Sequence, residues 1–349
     1  MALPALHVSL PPSLEGPTQE ALVRVGRRLR DPRVDAELRA SLGAYWEAML
    51  EAHERRRCSG RVAGAQPAWW STVAGLLLAA ATSEGDAIDD RLLDAAAGCE
   101  LYVISLTLFD AVEDDELELE GPMAELGPAV TLNAALVVFV LACEALLCAA
   151  DRLPAEQQPR IRESLVNRSL VMGRGQHRDL RCVRAQTLEQ AVAQAQDKTE
   201  AIALAAELGA LAAGCDVARA QRYALLGRRS ALLRQCGNDL ADLYGQRDSV
   251  DLRTGKWTLP LVALWEHADP ATRQELLRLR DALPGSLPQI RRLVFDTGAV
   301  RRVALVMERA RREIHSILDD LGRRDDPIAM LGAHADLTAS RLYTPAGAR

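Results

Sequence analysis

The chain has 349 residues, of which 49% are hydrophobic, and it carries a formal net charge of −6 at neutral pH. This length is sufficient for a large core in one or two domains, and the acidic balance argues against a general role in nucleic-acid binding. The seven cysteines are odd in number and contain no CxxC pair, which favours free thiols in a reducing, cytoplasmic location over disulfides or a zinc site.

Ala, Leu, Arg and Glu, which are good helix formers, dominate the sequence, and no stretch of useful length alternates apolar and polar residues. The sequence therefore predicts an all-α protein. We expect one helical domain over residues 21–342, with a flexible N-terminal arm at 1–20 and a flexible tail at 343–349. Within the domain, the pattern predicts one helix over 187–213 and two helices over 216–225 and 228–246.

Two uncharged stretches, residues 62–83 and 126–143, are close to the length needed to cross a bilayer. Helices that are apolar on all sides also occur at the centre of large soluble bundles, and the flanking charges that would stop transfer through a membrane are weak here. We therefore interpret both stretches as buried helices and expect no stable membrane insertion.

An acidic motif, Phe109-Asp110-Ala111-Val112-Glu113-Asp114-Asp115, follows an apolar helical stretch. Asp110 and Asp114 are four residues apart, which places both carboxylates on one face of a helix. Acidic residues continue to Glu120, and such a charge run is also typical of a solvated helix end. Its position, where an apolar helix emerges from the core, favours a functional role.

A second motif of the same kind, Gln235-Cys236-Gly237-Asn238-Asp239-Leu240-Ala241-Asp242, lies more than a hundred residues downstream. Asn238 and Asp242 repeat the four-residue spacing. Two such faces opposite each other would form an oxygen-lined site suited to Mg²⁺, which usually shares its carboxylates with a substrate phosphate. The two motifs together indicate chemistry that removes a diphosphate from an allylic carbon.

Between the two motifs, Gly173 and Gly175 interrupt a helical pattern. Glycines in a helix lower its stability, so they indicate the close approach of another backbone or of a substrate chain. Gln176 and Asp179 lie one turn apart and could face the same cavity. A plain helix crossing with polar residues on its surface explains the same spacing equally well.

Two lysines are candidates for phosphate binding. Lys198 stands at the edge of a long apolar run and could reach a phosphate as a point charge, although a lysine at the edge of a helix is more often a surface residue. Lys256 follows the second motif by a short loop and could close over a diphosphate. The six histidines are scattered without metal-ligand spacing, so a histidine-based metal site is not expected.

The order and spacing of these segments, over roughly residues 40–340, resemble the trans-isoprenyl diphosphate synthase family and the class I terpene synthases built on the same fold. The first motif is similar to the family's DDxxD, with Ala111 replacing the second Asp, and the second motif is similar to Q-x-x-DDxxD, with Asn238 replacing the first Asp. Further matches are Gly175-Gln176 with Asp179-Leu180, Lys198-Thr199, Asp251-Leu252, and Gly255-Lys256 with Thr258-Leu259-Pro260.

This resemblance implies an isoprenoid synthase-like bundle around a central cavity, a prenyl diphosphate substrate and a homodimer. It implies Mg²⁺ as cofactor, held by Asp110, Asp114, Asn238, Asp239 and Asp242. It implies catalytic roles for Lys198, Lys256 and Gln176, and contacts to the substrate from Phe109, Gln176, Asp179, Lys198, Thr199, Gln235, Lys256 and Trp257.

Two departures from the family pattern shape the functional hypothesis. The family's basic GGKRxRP segment corresponds here to Gly64–Trp70, which contains no cation, and its Arg pair after the first motif corresponds to the acidic stretch Glu116–Gly121. A second diphosphate would meet like charges there. We therefore expect a class I terpene synthase-like enzyme that ionises a single allylic diphosphate to a hydrocarbon or alcohol and does not condense isopentenyl diphosphate.

Two other functions stay open. A prenyltransferase could elongate a chain with altered co-substrate binding or use a non-diphosphate acceptor, and the latter fits the missing cations equally well. The aromatic content of 4% argues against the terpene synthase, because it is sparse for an enzyme that must shelter carbocations. A non-catalytic partner subunit of a prenyl synthase is the third hypothesis, motivated by Ala111 and the lost basic segments, but retention of the acidic and lysine residues argues against it.

Overall fold

The computed structural model describes residues 10–59, 73–115, 117–244 and 250–340. These residues contain only helices, turns and connecting segments, with no strand among them, which confirms the predicted all-α class. The α-helices are α1 (Pro12–Leu29), α2 (Ala36–Ser59), α3 (Val73–Ser83), α4 (Asp90–Glu113), α5 (Gly127–Ala150), α6 (Gln158–Leu180), α7 (Leu188–Lys198), α8 (Glu200–Ala212), α9 (Val217–Tyr244), α10 (Val250–Arg253), α11 (Leu259–His267), α12 (Pro270–Asp281), α13 (Leu287–Asp296), α14 (Ala299–Leu321) and α15 (Met330–Ser340). Two 3-10 segments lie at Leu117–Leu126 and Pro327–Ala329.

The first helix begins at Pro12, inside the segment for which we expected a flexible arm. Proline is well suited to the first turn of a helix, since its missing N–H has no partner there anyway. Leu14, Val25 and Leu29 are fully buried against the core, and α1 packs on α3 and α4. Residues 10–20 are therefore part of the folded domain, whereas the rest of the expected arm and the tail at 343–349 lie outside the described residues.

Two helix boundaries differ from the sequence prediction. The expected helix over 187–213 is divided at Thr199 into α7 and α8. The hydroxyl of Thr199 donates to the carbonyl of Ala195 at 3.0 Å, at the end of α7. The two helices expected over 216–246 form the single helix α9. A Cβ at Gly227, within α9, would lie 2.7 Å from the carbonyl oxygen of Ile202, so this glycine permits α8 and α9 to pack backbone against backbone.

Helix α8 is central: it packs on α3, α4 and α6 and, on another side, on α9, which in turn packs on α14. The polar motifs lie at the carboxyl ends of the helices around it, in the last turns of α4, α6, α7 and α9. A carboxylate at the C-terminal end of a helix is destabilised by the negative end of the helix dipole. The acidic motifs therefore need nearby cations to be stable.

Two helical stretches, Asp90–Glu113 and Gly121–Ala150, are long and apolar enough to cross a membrane by length and composition. The most apolar window of the first is 67% buried inside the protein, as expected for a core helix, whereas that of the second is 44% buried. The predicted stretch 126–143 thus exposes an apolar face. Of the predicted stretch 62–83, residues 73–83 form the buried helix α3, and the remainder lies outside the described residues.

Candidate active site

The first acidic motif closes helix α4. The helix ends at Glu113, Asp114 is its C-terminal cap, and Asp115 then turns the chain away with φ +59°. Aspartate tolerates this left-handed conformation better than most residues. The side chain of Asp110 is half-exposed, whereas Asp114 is buried, with 7% of its surface exposed.

Lys256 is the cation that meets Asp114. Its Nζ lies 2.5 Å from Asp114 Oδ2, 2.9 Å from Asp251 Oδ1 and 3.1 Å from Asp179 Oδ2. Burial alone would lower the pKa of this ammonium, but the charges of Asp251 and Asp179 and the hydrogen bond to Asp114 raise it well above its usual range. Lys256 is therefore a permanent cation, with 6% of its surface exposed.

A tight turn aims Lys256 at this cluster. Gly255 has φ +82°, a conformation that favours glycine, and the amide N–H of Lys256 donates to the carbonyl of Asp251 at 2.9 Å. Arg280, from α12, donates to the carbonyl of Gly255 at 2.5 Å and stacks on the ring of Trp257, its Cζ 3.9 Å from the ring centroid. Arg280 thus clamps the turn.

Lys198 approaches the same acids from the end of α7. Its Nζ lies 2.8 Å from Asp179, 3.3 Å from Asp110 and 3.9 Å from Asp114. Burial opposes its charge, but Asp110 and Asp179 raise the pKa of Lys198 overall. In the same way, burial would raise the pKa of Asp179, yet the two lysine charges hold it below its usual value.

Gly175 fixes where Lys198 lies. A Cβ at this position would be 2.4 Å from the backbone nitrogen of Lys198 and 2.7 Å from the carbonyl carbon of Asp197, whereas nothing lies within 4 Å of a Cβ at Gly173. The sequence prediction of a close backbone approach is therefore accurate for Gly175 only. Arg174, from the same turn, pairs with Asp197 at 2.8 Å and holds α6 against α7.

Gln176 completes the arrangement. Its Nε2 donates to Asp110 Oδ1 at 2.9 Å and to Glu113 Oε2 at 2.8 Å. The structure thus brings together six residues that the sequence assigned to the site: Asp110, Asp114, Gln176, Asp179, Lys198 and Lys256. Asp251, which the sequence matched only as part of a family segment, joins them as a third acid on Lys256.

Asp239 has a different place from the one expected. Its Oδ1 accepts from Gln235 Nε2 and its Oδ2 accepts from the backbone N–H of Leu259, both at 2.7 Å, with 4% of its surface exposed. Leu259 is the first residue of α11, whose early N–H groups need partners. Asp239 therefore caps α11 and Gln235 supports this cap, whereas the expected roles of Asp239 as a metal ligand and of Gln235 as a substrate contact stay predictions.

The other polar residues of the second motif remain accessible. Asn238 is exposed and Asp242 is half-buried. Burial raises the pKa of Asp239 to about 7, and the charges of Asp251 and Asp242 add to the shift. Since Asp251 also binds Lys256, it connects the two motifs electrostatically.

Three further expectations concern contacts to substrate. The indole of Trp257 lies under Arg280 and within 5.1 Å of Arg184, and it packs edge-to-face on Trp265 at 5.4 Å. Guanidinium cations therefore lie against the ring that was expected to contact substrate. The hydroxyl of Thr199 donates to the carbonyl of Ala195, and its expected contact to substrate stays a prediction. Phe109 is half-buried and packs on the core beside Asp110.

Sequence reasoning also missed Arg234, which lies one turn before Asn238 on the same face of α9. Its side chain is exposed, yet burial among the surrounding helices lowers its pKa. The four-residue spacing to Asn238 was the available signal, but only acids and lysines were followed along it.

The donor set fits Mg²⁺ in one respect that the structure shows directly: Asp114 Oδ1 is buried without a hydrogen-bond partner. Within the described ranges, no three His, Cys, Asp or Glu side chains lie close enough together to hold a metal ion by themselves.

The fold is similar to that of isoprenyl diphosphate synthases of known structure. A geranylgeranyl pyrophosphate synthetase from Pyrococcus horikoshii Ot3 is similar, with TM-score 0.74 and 19% identity over 94% of this chain and 97% of that one. A decaprenyl diphosphate synthase from Rhodobacter capsulatus has TM-score 0.76 and 20% identity over 94% and 97%. A geranylgeranyl pyrophosphate synthase from Corynebacterium glutamicum, complexed with isoprenyl diphosphate and magnesium, has TM-score 0.73 and 21% identity over 94% and 99%.

At sequence level, residues 89–293, well over half of the chain, match the family described as polyprenyl synthetase. No curated protein matches the sequence significantly. The chain therefore belongs to the polyprenyl synthetase family, which confirms the resemblance to the trans-isoprenyl diphosphate synthases. This result favours the prenyltransferase hypothesis over the single-substrate terpene synthase that the sequence was expected to encode.

Proposed function

We propose that this protein is a prenyltransferase that ionises an allylic prenyl diphosphate and transfers the prenyl group to a second substrate. The convergence of Lys198 and Lys256 on Asp110, Asp114 and Asp179 is the observation that carries the proposal. Asp110, Asp114, Asn238 and Asp242 supply oxygen ligands for Mg²⁺, and the two lysines supply charge for the diphosphate.

When bound, Mg²⁺ supplies Lewis-acid stabilisation of the departing diphosphate. Lys198 and Lys256 then have two sets of possible partners, the carboxylates and the diphosphate oxygens. In the structure both ammonium groups pair with carboxylates, so a diphosphate would have to compete with these carboxylates for the two lysines. Once Asp110 and Asp114 hold the metal, Lys198 and Lys256 would be available to the diphosphate oxygens, where they would oppose the charge that develops on the leaving group.

In the proposed reaction, the bond between C1 of the allylic chain and the diphosphate oxygen breaks, and the diphosphate keeps the electron pair. A π bond of the second substrate attacks C1 and forms a carbon–carbon bond. Loss of a proton from the carbon next to the new cation restores a double bond, and the released diphosphate accepts that proton. Atoms and charge balance without any oxidant or reductant.

The environment of the aromatic residue beside Lys256 favours transfer over a cyclisation cascade. Trp257 has its ring occupied by arginine, and so it does not offer a free aromatic face. In a transfer reaction the second substrate attacks the first carbocation at once. Such an enzyme needs neither an aromatic lining nor a long-lived carbocation.

The test is incubation of the purified protein with Mg²⁺ and geranyl, farnesyl or geranylgeranyl diphosphate, each alone and with isopentenyl diphosphate. We expect release of inorganic diphosphate to rise when the second substrate is present, with a longer prenyl diphosphate as product, and to stop in EDTA. A hydrocarbon or alcohol formed from one substrate at an unchanged rate would instead establish the terpene synthase.

We also propose that the protein is a homodimer joined through α5. Leu132, Leu136 and Val140, spaced one turn apart on that helix, are exposed at 39%, 53% and 57%. Leu170, on α6, is exposed at 68%, and α6 contacts α5. A continuous apolar face of this kind is typical of a subunit interface.

A cytoplasmic location is likewise proposed, supported by six described cysteines that are all unpaired.

A further inference from the structure

A buried network of ion pairs lies next to Lys198 in the bundle. Glu200, the first residue of α8, has a fully buried side chain, and its Oε2 lies 2.5 Å from Nη1 of Arg168 on α6. The other oxygen of Glu200 pairs with Arg228 on α9. Arg168 also pairs with Glu207, two turns further along α8. Two acids and two guanidinium groups thus join α6, α8 and α9 with balanced charge.

The network holds the chain where α7 ends and α8 begins. Lys198 is the last residue of α7, and Thr199, with φ −103° and ψ 19°, separates it from Glu200. Arg168 lies seven residues, or about two turns, before Gly175 and therefore on the same face of α6. Helix α6 thus contacts this junction at two levels, through Gly175 against the backbone of Lys198 and through Arg168 against Glu200.

The two contacts have complementary effects. A Cβ at Gly175 would lie 2.4 Å from the backbone nitrogen of Lys198, so the glycine permits the close approach without attracting the junction. The ion pairs of Glu200 supply the attraction, because a buried carboxylate is strongly destabilising once it loses its cations. Buried ion pairs often stabilise a fold no more than apolar residues of similar volume would. What they add here is one defined position for the junction.

The position of this junction decides where Lys198 points. Its Nζ lies 2.8 Å from Asp179 and 3.3 Å from Asp110, and in the proposed function it also reaches the diphosphate. We propose that Glu200 is a positioning residue, whose buried ion pairs hold the start of α8 so that the ammonium group of Lys198 is directed into the acid–lysine site. This inference rests on the proposed function.

Glu207 provides a matched control. It is also a buried acid of α8 and pairs with the same arginine, Arg168, but it lies about 10 Å further along the helix from Lys198 than Glu200 does. Glu200→Gln and Glu207→Gln each remove one negative charge and keep the shape of the side chain. If the network only stabilises the fold, the two variants should behave alike.

The placement of Lys198 can be observed without catalysis. Lys198 and Lys256 are the only two lysines among the 349 residues, so protein labelled with ¹⁵N at lysine Nζ gives two ammonium signals, which Lys198→Arg assigns. Ammonium protons that are held by carboxylates exchange slowly with water, and their NMR signal is sharp. An ammonium group that leaves its carboxylates exchanges faster, and its signal broadens away.

We expect Glu200→Gln to broaden the Lys198 signal, to leave the Lys256 signal unchanged and to lower kcat about 10- to 100-fold, as a misplacement of about 1 Å can do. Arg228→Gln removes the opposite charge from the same ion pair and should have the same effects, which separates position from net charge. Glu207→Gln should keep both signals and a kcat within about twofold of that of the unaltered protein.

Circular dichroism first establishes that each variant is folded. Sharp signals from both lysines in Glu200→Gln would overturn the proposal, and so would the same loss of the Lys198 signal in Glu207→Gln. Arg228 is one-third exposed, so Arg228→Gln keeps the test available if Glu200→Gln does not fold. An unchanged Lys198 signal in Arg228→Gln would then refute the proposal.

The two measurements separate this inference from the proposed function. If the unaltered protein releases no diphosphate from any allylic substrate but Glu200→Gln still broadens the Lys198 signal selectively, the transfer function fails and the positioning role stands. If the unaltered protein forms a longer prenyl diphosphate and the Lys198 signal is the same in Glu200→Gln, the transfer function stands and the positioning role is refuted.

Discussion

The Nζ of Lys256 lies 2.5 Å from Oδ2 of Asp114, a contact between residues 142 positions apart in the chain. It joins the end of α4 to the turn before α11 and closes the candidate active site. Neither partner is stable alone in this place, because both are buried. The pair therefore contributes both to the stability of the fold and to the chemistry of the site. Substitutions at each residue can measure the two contributions separately.

Replacing Lys256 with Met should lower the free energy of unfolding by about 3 kcal/mol or more, because three carboxylates lose a buried cation. Adding Asp114→Asn should recover part of this loss, since one of the stranded charges disappears. Urea unfolding of the two single variants and the double variant measures the coupling. Strict additivity of the two effects would show that the contact does not contribute.

The two glycines of α6 give a matched pair. Gly175→Ala should destabilise the protein and reduce diphosphate release, because the new methyl must push the backbone of Asp197 and Lys198 away from α6. Gly173→Ala meets open space in the same helix and should stabilise by about 0.5–1 kcal/mol. Thermal melts and activity of both variants provide the comparison. Similar behaviour of the two would contradict the placement of Lys198.

Asp239→Ala should destabilise the protein by about 1–2 kcal/mol, the usual cost of losing a helix cap, while Asp239→Asn keeps an oxygen for the amide of Leu259 and should cost less. Magnesium dependence of diphosphate release is the second measurement. If Asp239→Ala instead kept full stability and lost its response to Mg²⁺, the residue would be a ligand after all.

Glu100 links stability to pH. Its carboxylate, buried with 8% exposed, accepts from the amide of Ala74 at the start of α3, and burial raises its pKa to about 7. Between about pH 4.3, its unfolded pKa, and pH 7, the folded state holds a proton that the unfolded state has lost. This group therefore makes stability fall as pH rises through that window.

Glu100→Gln removes the ionisation and retains an acceptor for Ala74. The loss of unfolding free energy between pH 5 and pH 7 should therefore be smaller in Glu100→Gln than in the unaltered protein. Urea titrations at both pH values give the difference. An identical loss in both proteins would mean that Glu100 does not hold a proton in the folded state.

The assembly proposal is tested at α5. Leu136→Glu with Val140→Glu places charge in the centre of the exposed apolar face and should convert a dimer into monomers, measured by light scattering at micromolar concentration. Leu305→Glu, at a 58% exposed position on α14, is the control and should leave the mass unchanged. A monomeric mass for the unaltered protein would refute the dimer.

The helices and the pairing of acids within a motif could be predicted because they depend on local spacing, whereas Lys198 and Lys256 were assigned to the site by the resemblance to a known family. Four-residue repeats put Asp110 and Asp114 on one helix face, and the glycine at 175 signalled a close helix contact. The orientation of Asp239 could not be read in this way, because its partner, the amide of Leu259, belongs to a helix that starts 20 residues later. The stacking of Arg280 on Trp257 likewise depends on the arrival of α12. Spacing along a helix predicts neighbours within it, whereas distant partners depend on packing.

The cap made by Asp239 changes how this motif is to be interpreted in related chains. A lineage that lost catalysis would still be under selection to keep an aspartate here, because α11 would start poorly without it. Asn238, which is exposed and caps no helix in the described part of the structure, could drift. Retention of this aspartate in a related chain therefore indicates that the helix cap is kept. Retention of the neighbouring residues of the motif is the better indication that the related chain is still an enzyme.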